Sequence, residues 1–232
     1  LSVDSDTDNA VNIYQKQMHQ LLTGVGGKFR SIYQADKSYT NDNKEWDMIE
    51  VLYLPHRAHL VPMLKDINYG RVQKDRARLV YEVQSFFLDN IDNDNPFDES
   101  LDDPMKQEIY MINMNEYLEY ADYGEGPTDL TGEEATSIYL SLVEPALNSI
   151  GVQYILSGSP VPIFVDPNEP EWDRFAILRY PSEGDLGSIV MTPEFQQALP
   201  HKFAGLKSNI TLQTHKLSSP SLLPKGQYKM QR

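Results

Sequence analysis

Arg179 and His201, both in the second half of the chain, are side chains whose types could support catalysis. Arg179 closes a predicted strand and shares one face of it with Phe175 and Ile177, so its guanidinium could bind an anionic or enol oxygen. His201 follows Pro200 on a predicted helix, and an imidazole with an unperturbed pKa of ~6.5 suits a general base. The structural alternatives are an arginine that reaches the sheet rim and a solvated histidine. We therefore predict Arg179 and His201 as a catalytic pair.

Five further side chains are predicted to contact a ligand. Asn113 and Asn115 project from one face of a predicted strand, while apolar residues occupy its other face. Glu50 interrupts an apolar run, either as a buried base or as the partner of an arginine from the second half of the chain. Exposure of these strand positions to solvent is the alternative. Together with Tyr53 and Tyr154, these residues form the predicted ligand-binding set.

Metal and cofactor chemistry is not expected. His56 and His59 have the i, i+3 spacing that can place two imidazoles on one helical face, but no third ligand is near them in the sequence. The acidic stretches 4–8 and 90–94 resemble the start of a calcium loop, yet they lack its glycine and its final glutamate. The chain has no cysteine, which excludes disulfides, thiolate metal sites and a cysteine nucleophile. We predict no metal and no cofactor.

The composition is that of a globular protein. The 232 residues include 20 Lys and Arg against 34 Asp and Glu, a formal net charge of -14, and 40% of them are hydrophobic. A strongly acidic chain without a basic stripe is poorly suited to bind nucleic acid. The longest apolar runs are far shorter than the ~20 residues of a membrane-spanning helix. We predict a small molecule as the partner, with neither nucleic acid nor a membrane span.

The cellular compartment is left open. The chain begins at Leu1 rather than Met, which is typical of a processed or truncated N-terminus and slightly favours export. The triplet Asn209-Ile210-Thr211 matches the acceptor pattern for glycosylation of a secreted eukaryotic protein. Because the triplet falls within a predicted strand, Asn209 is a candidate modification site only.

The most informative feature is an internal repeat. Residues of the first half recur in the second half, in the same order, at an offset of 125 that becomes 126 and then 127 after two one-residue slips. Both tryptophans of the chain occupy one equivalent position. The matching segments are Ile13-Tyr14 with Ile138-Tyr139, Gly26 with Gly151, Phe29 with Tyr154, Glu45-Trp46-Asp47 with Glu171-Trp172-Asp173, Val51–Pro55 with Ile177–Pro181, and Arg76–Leu79 with Lys202–Leu206. Ordered matches of this kind predict two copies of one module.

The second copy predicts six elements in the order β-α-β-β-α-β, which is the ferredoxin-like split βαβ. Apolar alternation predicts a strand at 108–117, and a capping box of Thr131 and Glu134 opens a helix that Gly151 ends. The remaining predicted elements are strands at 152–158 and 173–180, a short helix at 184–191, a helix from Thr192-Pro193 to about Leu206, and a strand at 210–215.

The first copy has no counterpart of the first strand. Its predicted elements are a helix at 9–24, strands at 27–34 and 47–54, helical pieces at 57–80 and a strand at 81–88. The first strand is missing, displaced or supplied from elsewhere; the basic tail is one candidate donor, and a solvated tail is the alternative. The predicted domains are a first repeat at 1–90, an acidic linker at 91–106, a second repeat at 107–215 and a basic tail at 216–232.

Four segments resemble an uncharacterised ferredoxin-like family of the dimeric α+β barrel superfamily; they are Glu108–Tyr117, Thr131–Ala135, Arg179–Ser182 and His201–Leu206. The resemblance covers 105–215 well and 10–90 more loosely. It implies that the two copies form one intramolecular dimeric α+β barrel, because relatives pair two sheets as homodimers or as tandem repeats. The first copy departs from the pattern, since Tyr53 stands for Arg179 and Asp75 or a gap stands for His201.

Three functions follow from this resemblance and from the candidate residues. Some relatives are cofactor-free monooxygenases, isomerases or haem enzymes, while others only bind ligands, so the fold implies a cavity rather than a reaction. We favour binding of a small, aromatic or enol-like molecule in the barrel cavity, which the 14 Tyr and 8 Phe residues could line. The alternatives are a cofactor-independent monooxygenase or isomerase that uses Arg179 and His201, and a structural protein that self-associates through an open sheet edge.

Overall fold

A computed structural model describes residues 4–40, 46–79, 83–94, 107–124, 128–163 and 171–217. The chain divides into two compact units. The first unit comprises Leu1–Ala35, Trp46–Gln84 and Lys216–Arg232, and the second unit comprises Asp36–Glu45 and Ser85–His215. Both units combine helices with antiparallel strands, which confirms the mixed α+β class predicted from the sequence.

The first unit contains a helix, a hairpin and two further helices in chain order. These elements are α1 (Asp4–Gly24), β1 (Lys28–Ser38), β2 (Met48–Tyr53), a 3-10 turn at Arg57–His59, α2 (Leu60–Lys65) and α3 (Tyr69–Leu79). The helical pieces predicted at 57–80 are thus present, separated where Asp66 adopts an extended backbone conformation. The first helix begins at Asp4 rather than at residue 9, and the last three residues of β1 belong to the second unit.

The core of the first unit lies between α1, the hairpin and the two short helices. The main apolar cluster has Tyr14, Met18, Leu21, Leu22, Met63 and Val72 at its centre. A smaller cluster joins Val11, Ile32 and Leu217, and the backbone N–H of Leu217 donates to the carbonyl of Ile32 at 2.9 Å. The start of the predicted tail therefore packs against β1, whereas residues 218–232 lie outside the described residues and their predicted role stays untested.

The second unit contains a five-stranded antiparallel sheet with strand order β7-β4-β6-β5-β3. Its elements are β3 (Phe86–Asp94), β4 (Ile109–Tyr117), α4 (Gly132–Ser149), β5 (Gln153–Pro162), β6 (Arg174–Tyr180), α5 (Glu183–Val190), α6 (Pro193–Gly205) and β7 (Leu206–Lys216). From β4 to β7, the order of strands and helices is the one predicted from the sequence. No helix among the described residues is both long enough and apolar enough to cross a membrane.

The position and the partner of β3 differ from the prediction. A strand at 81–88 was expected to close the first repeat, whereas β3 runs from Phe86 to Asp94 and pairs with β5 of the second unit. Residues 91–94, predicted as the start of the acidic linker, belong to this strand. A strand's partner is determined by contacts distant in sequence, so local alternation could not reveal it.

The two faces of the second sheet are both buried. We call the face that packs against α4, α5 and α6 the helix face; it contributes Ile109, Met111 and Leu178 to the main core cluster. Ile112 and Ile177 lie on the opposite face and are 1% and 0% exposed. Since side chains alternate along a strand, Arg179 projects from the opposite face with Ile177.

The N-terminus of α4 has the capping box predicted from its sequence. The hydroxyl of Thr131 accepts a hydrogen bond from the N–H of Glu134 at 3.1 Å, and the Glu134 carboxylate accepts one from the N–H of Thr131 at 2.8 Å. Both contacts satisfy backbone donors that the first helical turn leaves without a partner. They fix the point at which the chain turns back over the helix face.

The β1–β2 and β5–β6 hairpins have the same register, including the position of a bulge. The pairs on either side of the bulge are Phe29–Leu52 and Ser31–Val51 in the first unit, and Tyr154–Leu178 and Leu156–Ile177 in the second unit. Corresponding residues differ by 125 on the first strand and by 126 on the second. These are the first two offsets of the sequence repeat.

Candidate functional site

The carboxylate of Glu50 forms the centre of a polar cluster in the first unit. Glu50 lies on β2 opposite Ile32 of β1 and is half-buried. The hydroxyl of Tyr14 donates a hydrogen bond to its Oε2 at 2.9 Å, and Nε2 of Gln15 donates to its Oε1 at 3.5 Å. Both donors belong to α1, so the helix holds the carboxylate against the hairpin.

Burial controls the ionisation of this cluster. It raises the pKa of the Glu50 carboxyl above its ordinary value, although the hydrogen bonds from Tyr14 and Gln15 and the positive charge of Arg76 act in the opposite direction. The pKa of the Tyr14 phenol is raised well above its ordinary value, chiefly by burial and then by the neighbouring Glu50 charge. Tyr14 is therefore a permanent hydrogen-bond donor, and Glu50 is the group that titrates.

Gln15 adds a second acceptor beside Glu50. Its side chain is 2% exposed, and its Nε2 also approaches the Met48 sulfur at 3.9 Å. The amide oxygen of Gln15 is buried and has no hydrogen-bond partner within the described part of the chain. A buried amide oxygen without a partner is costly, because it loses its hydration without compensation. The cluster thus presents acceptor atoms suited to a hydrogen-bond donor.

Polar side chains of α3 complete the cluster. The Arg76 guanidinium donates to Oε1 of Gln73 at 2.5 Å, and the Gln73 amide in turn contacts the Tyr69 hydroxyl. These residues are spaced by three and four along the helix, which places them on one side of it. The network fixes Arg76 where its charge acts on both Glu50 and Tyr14.

At the positions that the predicted repeat relates to Tyr14, Arg76 and Glu50, the second unit has a tyrosine, a cation and no carboxylate. Lys202 of α6 lies 5.8 Å from the ring centroid of Tyr139, which is the counterpart of Tyr14 at an offset of 125. Burial lowers the pKa of Lys202 and raises the pKa of Tyr139 to about 12. Ala176 occupies the position equivalent to Glu50, at an offset of 126. The two units therefore differ in polarity at corresponding positions.

The structure pairs Arg179 with other protein groups. Its guanidinium forms a salt bridge with Glu108 and donates to Oε1 of Gln153 at 2.6 Å. The side chains of Arg179 and Glu108 are 11% and 7% exposed, so the ion pair is largely removed from water. A ligand anion at Arg179 would have to replace the Glu108 carboxylate.

His201 lies apart from Arg179. Its Nδ1 is 2.7 Å from the hydroxyl of Tyr123, and the two rings meet edge to face with centroids 5.5 Å apart. His201 belongs to α6, which packs on the helix face of the sheet through Ala198, whereas Arg179 projects from the opposite face. The sheet separates the predicted catalytic pair, so the structure does not bring these two residues to one substrate.

The predicted ligand-binding residues fall in three places. Asn113, Asn115 and Tyr154 share the helix face of the second sheet, where the hydroxyl of Thr211 donates to Oδ1 of Asn113 at 3.2 Å. Tyr53 is 46% exposed at the end of β2, with the Lys28 ammonium 6.0 Å from its ring. Glu50 alone lies in the polar cluster described above, and its partners belong to the first unit.

The other candidate residues have local roles. Nδ1 of His56 accepts a hydrogen bond from the N–H of Ala58 at 3.0 Å, and its ring centroid is 6.3 Å from that of His59. Within the described residues, no group of three or more His, Cys, Asp or Glu side chains could hold a metal ion. Asn209 lies in β7 and donates to the Thr211 hydroxyl at 2.9 Å, so its glycosylation stays a prediction.

Three partners of Glu50 were not selected from the sequence. Tyr14 was noted as a repeat position, whereas Gln15 and Arg76 were not considered as site residues. Gln15 carries a recognisable signal, because it interrupts the apolar stripe formed by Val11, Tyr14 and Met18 at helical spacing. A polar residue inside such a stripe is expected to face a polar partner.

No protein-family model matches the chain, and no curated protein matches it. The solved structure of the methylated RPA0582 protein aligns with a TM-score of 0.43 and 22% identity, over 57% of this chain and 96% of that chain. The RPA0582 protein of unknown function from Rhodopseudomonas palustris aligns with a TM-score of 0.43 and 23% identity, over 56% of this chain and 97% of its own. A protein named "putative monooxygenase" from Lactobacillus acidophilus NCFM aligns with a TM-score of 0.42 and 11% identity, over 92% of this chain and 89% of its own. Similarities of this size assign neither a family nor an activity to the chain.

Proposed function

We propose that the chain is a tandem pair of ferredoxin-like modules of the dimeric α+β barrel type, and that it binds a small aromatic or enol-like molecule. We place the binding site at Glu50 in the first unit. The observation that carries this proposal is the half-buried carboxylate of Glu50 beside the amide oxygen of Gln15, which has no hydrogen-bond partner among the described residues.

The proposed duplication is supported by backbone geometry as well as by the sequence repeat. Gly26 and Gly151 follow α1 and α4 with φ angles of 75° and 78°, in the left-handed region that glycine tolerates best. Their N–H groups donate to Thr23 and Asn148 at 3.0 and 3.1 Å. Independent sequences would not be expected to repeat this helix end, the following bulge and the hairpin register at the offsets of the sequence repeat.

The proposed binding role is supported by divergence between the two units. A tyrosine and a cation occur at equivalent positions in both, but only the first unit places a carboxylate between them, where the second unit has Ala176. Perturbed carboxyl groups of this kind are enriched at functional sites. Partial burial of a carboxylate costs free energy, which hydrogen bonds such as those from Tyr14 and Gln15 offset.

The acceptor atoms of this cluster indicate the chemistry of the ligand. Glu50 and Gln15 both present oxygen acceptors, so the complementary ligand group is a hydroxyl donor such as a phenol or an enol. The aromatic rings of Tyr14 and Tyr69, which belong to the same apolar cluster, favour a planar ligand. A ligand on the opposite face of the second sheet would instead displace closely packed side chains such as Ile177.

Mass spectrometry of the purified full chain tests the proposal. Spectra recorded under native and denaturing conditions should differ by the mass of a co-purified small molecule. The same loss should be absent from Glu50→Ala and retained in Glu144→Gln, which removes an exposed carboxylate from α4. A ligand that stays bound to Glu50→Ala as well as to the native chain would contradict the location of the site.

A cofactor-independent isomerase or monooxygenase is the second candidate function. The raised pKa of Glu50 favours it, because a carboxylate whose pKa is nearer neutrality is a stronger base towards an enol proton. Turnover of an enol-type substrate should then be lost in Glu50→Gln with the melting temperature preserved. Arg179→Met and His201→Ala test the earlier catalytic predictions separately, since the sheet separates these two residues.

A further inference from the structure

Lys202, the half-buried lysine of α6, has no part in the site proposed at Glu50. It lies on the side of the helix that carries Phe195 and Ala198, at spacings of three and four residues. Ala198 belongs to the main core cluster of the second unit, and Phe195 packs against that cluster. The rings of Tyr139 and Phe195 meet edge to face with centroids 6.0 Å apart, and Nζ of Lys202 is 5.8 Å from the Tyr139 centroid. The Lys202 side chain therefore lies against an aromatic surface.

No carboxylate compensates the charge of Lys202 within the described part of the chain. Its Nζ forms neither a salt bridge nor a hydrogen bond with a described group. Two other lysines of the same unit differ, since Lys37 pairs with Glu183. Lys207 pairs with Glu116 at 2.5 Å. The end of α6 offers Lys202 only the partial negative charge of a helix dipole. Burial without a full counter-charge favours the neutral amine and lowers the pKa of Lys202.

The ionisable groups around this aromatic surface are phenols. Tyr139, Tyr154 and Tyr180 pack in the same apolar cluster and raise one another's pKa values. Burial raises all three pKa values further, so these side chains are uncharged at neutral pH. Glu144 acts on Tyr154, but burial is the one influence on the pKa of Lys202 that arises from the described residues. Nothing in these surroundings holds the proton on Lys202.

The two units differ in a way that fits this chemistry. The predicted repeat relates Lys202 to Arg76 and Ala176 to Glu50. In the first unit, the charge of Arg76 acts on the Glu50 carboxylate. An arginine stays protonated in proteins, whereas a buried lysine can lose its proton. The second unit therefore lacks the carboxylate and has the cation that can become a neutral amine. This correspondence rests on the duplication proposed above and does not depend on the ligand at Glu50.

We propose that Lys202 is a reactive amine that forms an imine with a small aliphatic aldehyde. The Nζ lone pair bonds to the carbonyl carbon, the carbonyl π electrons move to the oxygen, and a proton passes from nitrogen to oxygen. Loss of water then replaces the C=O bond by a C=N bond, and the step needs neither an oxidant nor a reductant.

The surroundings of Lys202 suit a small, uncharged aldehyde. Its side chain is half-buried, and Nζ is not among the fully buried polar atoms that lack a partner, so a small solute can reach it. The rings of Tyr139 and Phe195 offer an apolar contact for a short alkyl group. A charged aldehyde would lose hydration at this surface without gaining a described partner of opposite charge.

Reductive alkylation of the native full chain tests this proposal, with acetaldehyde as the probe at neutral pH. Sodium cyanoborohydride traps the imine as an N-ethyl group, and mass spectrometry of peptides gives the rate at each lysine. Lys28 is the matched internal control, because its ammonium lies 6.0 Å from the ring centroid of Tyr53 but its side chain is exposed. We expect Lys202 to be alkylated at least about tenfold faster than Lys28, since the fraction of neutral amine rises as the pKa falls.

Two variants and one denatured sample complete the test. Lys202→Met should incorporate one ethyl group fewer than the native chain at early times, whereas Lys28→Met should match the native chain at those times. In urea, the preference for Lys202 should vanish, because it depends on burial. Equal rates at Lys202 and Lys28 in the native chain would overturn the proposal, and so would a preference that persists in urea. Glu50→Ala should leave the rate at Lys202 unchanged, so this proposal and the ligand site at Glu50 fail separately.

Discussion

The Tyr14 hydroxyl donates a hydrogen bond of 2.9 Å to the carboxylate of Glu50, a residue 36 positions further along the chain. The contact joins the first helix to the second strand of the same unit. At the offsets of the predicted repeat, Tyr139 stands for Tyr14 and Ala176 for Glu50, so the second unit offers no carboxylate at that position. The candidate function of the first unit depends on this difference.

Removing the Tyr14 hydroxyl should destabilise the first unit. We expect Tyr14→Phe to lower the free energy of unfolding by about 1.5–3 kcal/mol, since a buried hydrogen bond to a charged acceptor is lost. Urea denaturation measures this change. Tyr139→Phe is the matched control, and its effect should be clearly smaller. Equal losses for the two variants would show that the contact with Glu50 contributes nothing specific.

The raised pKa of Glu50 predicts a pH dependence of stability. The folded state binds this proton more tightly than the unfolded state, so the free energy of unfolding falls as pH rises from the ordinary carboxyl pKa through the raised pKa of Glu50. Glu50→Gln cannot ionise at this position. Its free energy of unfolding, measured relative to that of the native chain, should therefore be higher above that pH interval than below it. Subtracting the two denaturation profiles isolates the effect from other carboxyls; a flat difference contradicts it.

The ion pair of Arg179 and Glu108 should be sensitive to removal of one partner. We expect Glu108→Leu or Arg179→Met alone to cost about 3–5 kcal/mol, because each leaves a largely buried group without its counter-charge. The double variant Arg179→Met with Glu108→Leu should cost less than either single change. Thermal unfolding of the three variants measures these losses of stability. If the loss in the double variant equalled the sum of the two single losses, the two residues would not act as a pair.

The equivalent helix ends should respond alike to substitution. Gly26→Ala and Gly151→Ala each place a side chain in the left-handed region, at a cost of about 1–2 kcal/mol. The added Cβ would lie 3.4 Å from Pro55 in the first case and 3.9 Å from Pro181 in the second. Gly70→Ala in α3 should instead stabilise the chain by about 0.5–1 kcal/mol, because alanine is the better helix former. The added Cβ would meet no atom within 4 Å outside its chain neighbours and the nearby backbone of its own helix, among the described residues. Melting temperatures provide the comparison.

Features that depend on local pattern could be predicted from the sequence. The capping box of Thr131, the turn at Gly151 and the order of elements from β4 to β7 all follow from residues close to one another in the chain. The face of a strand from which a side chain projects could also be predicted, because alternation places Arg179 with Phe175 and Ile177. The register of the hairpins could not be predicted and is known only from the structure, since a bulge has no distinct pattern in these sequences.

Features that depend on distant contacts could not be predicted. Alternation cannot show that β3 pairs with β5, nor that Glu108 would neutralise Arg179. The separation of Arg179 from His201 follows from the packing of α6 on one face of the sheet, which the helix sequence does not specify. Glu50 was selected from the sequence as an unusual position for a charge, but the identities of its partners required the packing of α1 against the hairpin.

Ligand-observed NMR with p-cresol tests the central proposal most directly. Toluene is the matched probe without a hydroxyl donor, and Glu144→Gln is the matched variant that removes a carboxylate elsewhere. We predict that p-cresol binds the native chain and Glu144→Gln more tightly than toluene does, and that Glu50→Ala weakens p-cresol binding by at least about tenfold, equivalent to 1.4 kcal/mol. Equal binding of p-cresol by the native chain and Glu50→Ala would contradict a ligand site at Glu50.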